Sequence, residues 1–112
     1  MVSYIESHQG PGNSEKKREI FLLTKPPHND RTRLCFKMIE SSENAILYLV
    51  GDGIYNLMNS SLEVLPWTRI FVCKEDMDAR SVQAKGKATI LADFYQHFAE
   101  DIMGLRRRIY TF

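Results

Sequence analysis

Residues 69–80 read RIFVCKEDMDAR, and this stretch decides the fold. Its first part is a short apolar run of strand-forming residues that ends at Cys73. The second part opens at Lys74 with acidic residues in the first turn and carries Arg80 near its end, which complements a helix dipole. A strand that passes directly into a helix indicates an α/β protein with parallel strands.

The same alternation extends outward from this stretch in both directions. Apolar runs at 20–24 and 45–50 predict strands buried on both faces, and loop 25–30 and the Gly51-Asp52-Gly53 turn follow them. Apolar residues at helical spacing predict a helix from Asp30 or Thr32 to about residue 40, a short helix from Ile54, and a last helix from Phe94. Weaker strand signals at 89–91 and 108–112 complete the order β-α-β-α-β-α-β-α-β.

This order predicts an α/β three-layer sandwich with a five-stranded, mostly parallel sheet in a flavodoxin-like order. In that order the first strand is central and the third strand lies beside it, so a ligand site is expected where these two strands end. Cys73 and His28, which lies in loop 25–30, are then expected to be neighbours.

Composition bounds the class of protein. The 112 residues, 44% of them hydrophobic, with a net charge of +1, predict one folded domain at 19–112 behind a flexible polar N-terminal tail at 1–18. The charge balance argues against direct nucleic-acid binding, and no apolar run approaches the length of a membrane span. Two cysteines without metal-site spacing, in a chain without a secretory apolar segment, favour free thiols in the cytoplasm.

Cys73 is the first candidate for chemistry. Backbone N–H groups at the start of the following helix favour a thiolate and predict a pKa below the usual value for a cysteine. The acidic residues that follow oppose this effect, with Lys74 and Arg80 to offset them, and a buried structural thiol is the alternative. Cys35 lies on an apolar helix stripe, which favours a core thiol. Asp52 is expected to cap the short helix.

Two motifs carry a resemblance to a known family. Residues 52–55 read DGIY after the second strand, and residues 70–81 read IFVCKEDMDARS at the third. In both motifs the chain resembles the DsrE/DsrF/DsrH group of sulfur-relay proteins, most closely its DsrH and TusB subunits, over about 20–112. The resemblance implies cytoplasmic trimers or hexamers with DsrE/DsrF-like subunits, which exchange sulfur with donor and acceptor proteins through cysteine persulfides in tRNA thiolation or sulfur oxidation.

The resemblance also implies roles for particular residues. Cys73 falls on the cysteine that transfers sulfur in the DsrE and TusD subunits, and Arg80 matches their arginine. DsrH and TusB carry Leu at the position of Cys73, whereas DsrE and TusD follow their cysteine with small apolar residues instead of Lys74-Glu75-Asp76. Cys35 falls near a cysteine of some DsrH proteins, which makes it a candidate second sulfur carrier.

Two functions therefore stay open at the level of sequence, beside a small-ligand or nucleotide-binding domain that the absence of a phosphate loop disfavours. In the first, the chain is a sulfurtransferase-type relay protein that uses Cys73 and needs neither a metal nor an organic cofactor. In the second, it is a non-catalytic assembly subunit, as TusB is, that completes an oligomer through the apolar connection at 62–67. The site-neighbouring residues are expected to be His28, Asp52, Lys74 and Arg80.

Overall fold

The computed structural model describes residues 18–58, 60–65, 68–83, 86–104 and 107–112. Strands and helices alternate along the chain as the sequence predicts. The elements are β1 (Arg18–Leu23), α1 (Asp30–Glu40), β2 (Ala45–Leu49), 3₁₀ helices at Gly51–Met58 and Ser60–Val64, β3 (Arg69–Cys73), α2 (Lys74–Ala79), β4 (Ala88–Leu91), α3 (Phe94–Ile102) and β5 (Arg107–Thr111).

The five strands form one parallel sheet in the order β4-β3-β2-β1-β5. The predicted fold class, a flavodoxin-like α/β sandwich, is confirmed. The prediction that β1 is central and lies beside β3 is wrong, because β2 is central and pairs with both of them. The chain adds each strand from β1 to β4 on the same side of its predecessor and only then returns, to place β5 beside β1.

Two apolar clusters cover the two faces of this sheet and make it the middle of three layers. On the first face, here called the α1 face, α1, the 3₁₀ helices and Met77 of α2 pack against the sheet. On the second, here called the α3 face, the covering element is α3, through Phe94, Phe98 and Ile102. Right-handed crossovers explain this division, since the return from β4 to β5 runs in the opposite direction along the sheet and must cross the opposite face.

Local details differ from the sequence predictions for identifiable reasons. Helix α1 begins at Asp30, one of the two predicted starts, and Asn29 caps it with a side-chain oxygen that accepts a hydrogen bond from the Arg31 N–H at 2.8 Å. Asp52 does not cap a helix from Ile54, because the 3₁₀ helix already begins at Gly51. An added Cβ on Gly53 would lie 2.1 Å from the Leu23 carbonyl oxygen, so glycine lets this helix approach the end of β1.

Two further predictions concern segments that the structure describes only in part. The tail at 1–17 lies outside the described residues, while Arg18 already belongs to β1, where it pairs with Arg107. Of the apolar connection at 62–67, Pro66 and Trp67 lie outside the described residues, and Leu62 and Leu65 are buried in the cluster of the α1 face. These two leucines therefore contribute to the core and not to an exposed interface. Within the described ranges, no helix has the length and apolarity that a bilayer crossing requires.

Candidate functional site

Cys73 lies where β3 ends and α2 begins. It is the last residue of β3 and the N-cap residue of α2, so the chain turns from strand to helix without an intervening loop. Alternation along the strand directs its side chain to the α3 face, where it packs in the same cluster as Val50 and Phe94. The thiol is thus held at the carboxyl edge of the sheet by two rigid elements.

The connections that follow β3 and β4 leave the sheet on opposite faces. Cys73 pairs with Leu91, the last residue of β4. After β3 the chain crosses to the α1 face through α2, and after β4 it crosses to the α3 face. Neighbouring strands whose connections leave on opposite sides create the crevice in which α/β proteins bind ligands. The switch point therefore falls between β3 and β4, not between β1 and β3 as predicted, and Cys73 is still located there.

The Cys73 thiol is nearly enclosed, with 2% of the residue exposed. Burial raises the pKa of this thiol above its ordinary value, and the Asp76 carboxylate raises it further by its charge and by accepting a hydrogen bond. The backbone N–H groups of Asp76 and Glu75, at the start of α2, lower the pKa of this thiol, but they do not outweigh the other causes. The predicted fall of the Cys73 pKa is thus wrong, because the sequence does not show how far the sulfur is withdrawn from water.

Asp76 connects the thiol to the turn after β2. Its Oδ2 accepts a hydrogen bond from the Gly51 N–H at 2.8 Å, and its Oδ1 lies 3.9 Å from an Arg80 Nη. Arg80 in turn donates two hydrogen bonds to Asp52 Oδ1, from Nε and Nη2, both at 3.2 Å. Asp52 and Arg80, both predicted to neighbour the site, are therefore linked to Cys73 through Asp76.

Lys74 and His28 are placed differently. The Lys74 side chain is exposed and pairs with Asp78 at 2.7 Å, and this contact raises the pKa of Lys74. His28 lies after β1 in an exposed turn with a positive φ of 67°. Because β2 separates β1 from β3, two inter-strand spacings of nearly 5 Å each lie between the ends of these strands. The pairing of β1 with β3, from which the proximity of His28 to Cys73 was predicted, is therefore absent.

Cys35 lies on the opposite face of the sheet from Cys73. It belongs to the cluster of the α1 face and is fully buried there. Burial raises the pKa of its thiol to about 12. With the sheet between them, the two sulfur atoms cannot exchange sulfur directly in this conformation.

Asp76 and Tyr95 are the site residues that sequence reasoning undervalued or missed. Asp76 stands three residues after an N-cap, the spacing at which a side chain reaches back toward the cap, and this signal was available. Tyr95, the second residue of α3, is 60% exposed, and partial burial of its phenol, followed by the charges of Asp76 and Cys73, raises its pKa. Only the pairing of β3 with β4 brings Tyr95 near the thiol, so no local pattern could have revealed it.

This arrangement can hold a sulfur atom and receive its proton. The backbone N–H groups of Asp76 and Glu75 favour the thiolate of Cys73, and the Asp76 carboxylate favours the neutral thiol. The described part of the chain contains no group of three or more His, Cys, Asp or Glu side chains placed to hold a metal ion. Thiol chemistry is what these groups support. No family model and no curated protein matches the chain.

Proposed function

We propose that the protein is a sulfur-relay subunit in which Cys73 accepts sulfane sulfur from a donor persulfide and passes it to a partner's thiol. The observation that supports this proposal is the position of Cys73 at the β3–β4 switch point and at the N-terminus of α2, where the backbone N–H groups of Asp76 and Glu75 lower the pKa of its thiol. Such donors stabilise the thiolate that attacks a persulfide.

The proposed step is an exchange of sulfur without net oxidation. Cys73 gives up its proton to Asp76 or to water, and the thiolate attacks the terminal sulfur of the donor R–S–SH. A bond forms from Cys73 Sγ to this sulfur while the donor S–S bond breaks, and the donor leaves as the thiolate R–S⁻. A partner thiolate then attacks the terminal sulfur on Cys73 in the same way. No metal, organic cofactor or external oxidant enters this balance.

A second candidate function is a non-catalytic assembly subunit, which the burial of the thiol favours. Cys73 is 2% exposed and its thiol pKa is raised, so it should react slowly while the chain has no partner bound. In this role Cys73 is a small core residue under α3, and the chain contributes to an oligomer instead of carrying sulfur. Both candidates place the chain in a sulfur-relay complex of the DsrE/DsrF/DsrH type, a trimer or hexamer in the reducing cytoplasm.

Intact-mass measurement distinguishes the two candidates. The native protein is incubated with glutathione persulfide, and its mass is recorded before and after treatment with a reductant. We expect a gain of one sulfur atom that the reductant reverses. Cys73→Ser should abolish this gain, and the matched variant Cys35→Ser should keep most of it.

The opposite outcomes are equally clear. Loading that survives in both single variants, or no loading at all by the folded protein, contradicts the relay function. The assembly role then takes its place and is tested by co-purification with DsrE-type subunits. Circular dichroism of each variant checks that a lost mass gain does not come from lost structure.

A further inference from the structure

A second polar site lies on the α3 face, at the amino-terminal edge of the sheet and so at the opposite end of the strands from Cys73. A cavity of about 250 Å³ opens there between α3 and the first residues of the strands. Its walls combine two apolar residues with six ionisable ones. They are Ile46, Phe71, Arg18, Arg69, Arg107, His97, Glu100 and Asp101.

The fold gathers the three arginines by strand alternation. Each of them is the first residue of its strand, Arg18 in β1, Arg69 in β3 and Arg107 in β5. The residue two positions later in each strand packs under α3, since Ile20, Phe71 and Ile109 all belong to the cluster of that face. Side chains two apart in a strand share a face, so all three arginines lie on the side that faces α3.

A single buried carboxylate serves two of these arginines. Asp101 Oδ1 lies 3.1 Å from an Arg18 Nη and 3.3 Å from Arg107 Nε, and only 7% of the Asp101 side chain is exposed. Its Oδ2 accepts a hydrogen bond from the Tyr48 hydroxyl at 2.7 Å. The His97 Nδ1 lies 3.0 Å from that hydroxyl. Asp101 thus accepts hydrogen bonds from Arg18 and Tyr48 and lies within ion-pair distance of Arg107.

Two arginines beside the cavity keep N–H groups that can donate further hydrogen bonds. The Nε of Arg18 is buried and meets no acceptor among the described residues. Arg69 forms no ion pair with any described carboxylate, and its charge reaches as far as the Tyr48 hydroxyl. The remaining acid, Glu100, is exposed and accepts a hydrogen bond from Gln96 at 3.3 Å, so it can turn toward water. The Arg69 guanidinium therefore keeps N–H donors with which it can bind an anion in the cavity.

We infer that this cavity binds a small tetrahedral oxyanion, with inorganic phosphate and sulfate as its simplest forms. Guanidinium groups match the oxygens of such anions with paired N–H donors, and Arg18 and Arg69 approach the cavity from different strands. The volume leaves room for bridging waters beside the anion. The inference stands on its own groups and does not depend on the reaction proposed for Cys73.

Titration of the ¹⁵N-labelled protein with sodium phosphate, at an ionic strength held constant with sodium chloride, tests this site. We expect saturable shifts of the Arg18 Nε–H signal and of α3 amides, with sulfate acting like phosphate. Arg69→Gln should weaken the binding about tenfold, because it removes one charge-assisted contact. The matched variant Arg33→Gln removes an exposed arginine of α1 and should leave the affinity unchanged.

Three results would overturn the site. One is a response to phosphate that does not saturate or that chloride reproduces. Another is an equal loss of affinity in Arg33→Gln, which would indicate general screening of charge. The last is unchanged binding in Arg69→Gln, since the cavity would then not supply the contacts.

Discussion

The strands present different side chains on the two faces of the sheet. On the α1 face, the buried strand residues are all apolar, and Cys35 is enclosed among them with a pKa of about 12. On the α3 face, the same strands carry Cys73 at one end and the Tyr48–Asp101 hydrogen bond with its arginines near the other. The strands contribute packing on the α1 face, and on the α3 face they contribute both packing and the residues of the two candidate sites.

The difference follows from how much of each face is covered. Helix α1 and two 3₁₀ helices lie over the α1 face, whereas α3, with 9 residues, covers the opposite face. A helix is about 10 Å wide with its side chains, while five strands span about 19 Å, so α3 alone leaves both edges of its face within reach of solvent. Chemistry in this protein is therefore expected where the layer of helices is incomplete.

Removing the buried carboxylate of the α3 face should have the largest effect on stability. Asp101→Ala leaves Arg18 and Arg107 without their shared partner in a partly buried setting, and we expect a loss of about 3–5 kcal/mol in the free energy of unfolding. Urea denaturation measures it. Glu100→Ala, at the exposed neighbouring position, should change stability by less than about 0.5 kcal/mol. Equal effects of the two variants would show that the polar groups of this face do not stabilise it.

The tightest contact on the α1 face should be nearly as sensitive. Gly53→Ala places a Cβ 2.1 Å from the Leu23 carbonyl oxygen and 2.9 Å from its carbon, so backbone must move. We expect a loss of about 3 kcal/mol by the same measurement. In Gly86→Ala nothing lies within 4 Å of the new Cβ, and only the positive φ of 66° opposes it, at about 1 kcal/mol. A smaller loss in Gly53→Ala than in Gly86→Ala would contradict this account of the packing.

Alkaline pH should expose the buried thiol of the α1 face. Cys35 has a pKa near 9.0 when unfolded and about 12 when folded, so between these values the unfolded state binds fewer protons and stability falls as pH rises. The expected slope from this group is about 1.4 kcal/mol per pH unit. Tyr48, whose pKa burial also raises, adds to the decline at higher pH. Unfolding free energies measured across this range should fall less steeply in Cys35→Val, and an unchanged slope would exclude Cys35 as the cause.

The smallest expected effect is a change in thiol reactivity on the α3 face. Asp76→Asn removes the carboxylate charge that raises the pKa of Cys73 and keeps the backbone donors, so alkylation of Cys73 should become several-fold faster near neutral pH. The pH profile of iodoacetamide labelling, read by peptide mass, measures it. Glu75→Gln, which neutralises the exposed neighbour, serves as the control. Slower labelling in Asp76→Asn would instead identify Asp76 as the base that deprotonates the thiol.

Much of the site was predictable from local sequence. Residues 69–73 form β3 and Lys74 starts α2, as apolar content followed by acids indicates, so Cys73 was correctly placed at a strand end and a helix start. Asp52 and Arg80 were expected near it, and they hydrogen-bond to each other beside Asp76. The distance between His28 and Cys73 was not predictable, because it depends on which strands pair.

His97 shows most clearly where sequence reasoning ended. Its ring centroid lies 4.7 Å from that of Phe71, at an interplanar angle of 44°, and its Nδ1 lies 3.0 Å from the Tyr48 hydroxyl. The orientation of α3 about its own axis decides this, and packing against five strands sets that orientation. Spacing along a helix shows which residues share a face, but it does not show which residues beside that face will also contact the sheet.

The sequence by itself determined the order of strands and helices, the fold class and the position of Cys73 at the junction of β3 and α2, because these depend on interactions between near neighbours in the chain. Tertiary structure alone decided that β2 separates β1 from β3, that Asp76 and Tyr95 approach the thiol, and that three strand-opening arginines meet at one cavity. Tertiary structure also decided the burial that raises the pKa of Cys73. Strand order and solvent exclusion depend on contacts between distant segments, and short-range patterns do not encode them.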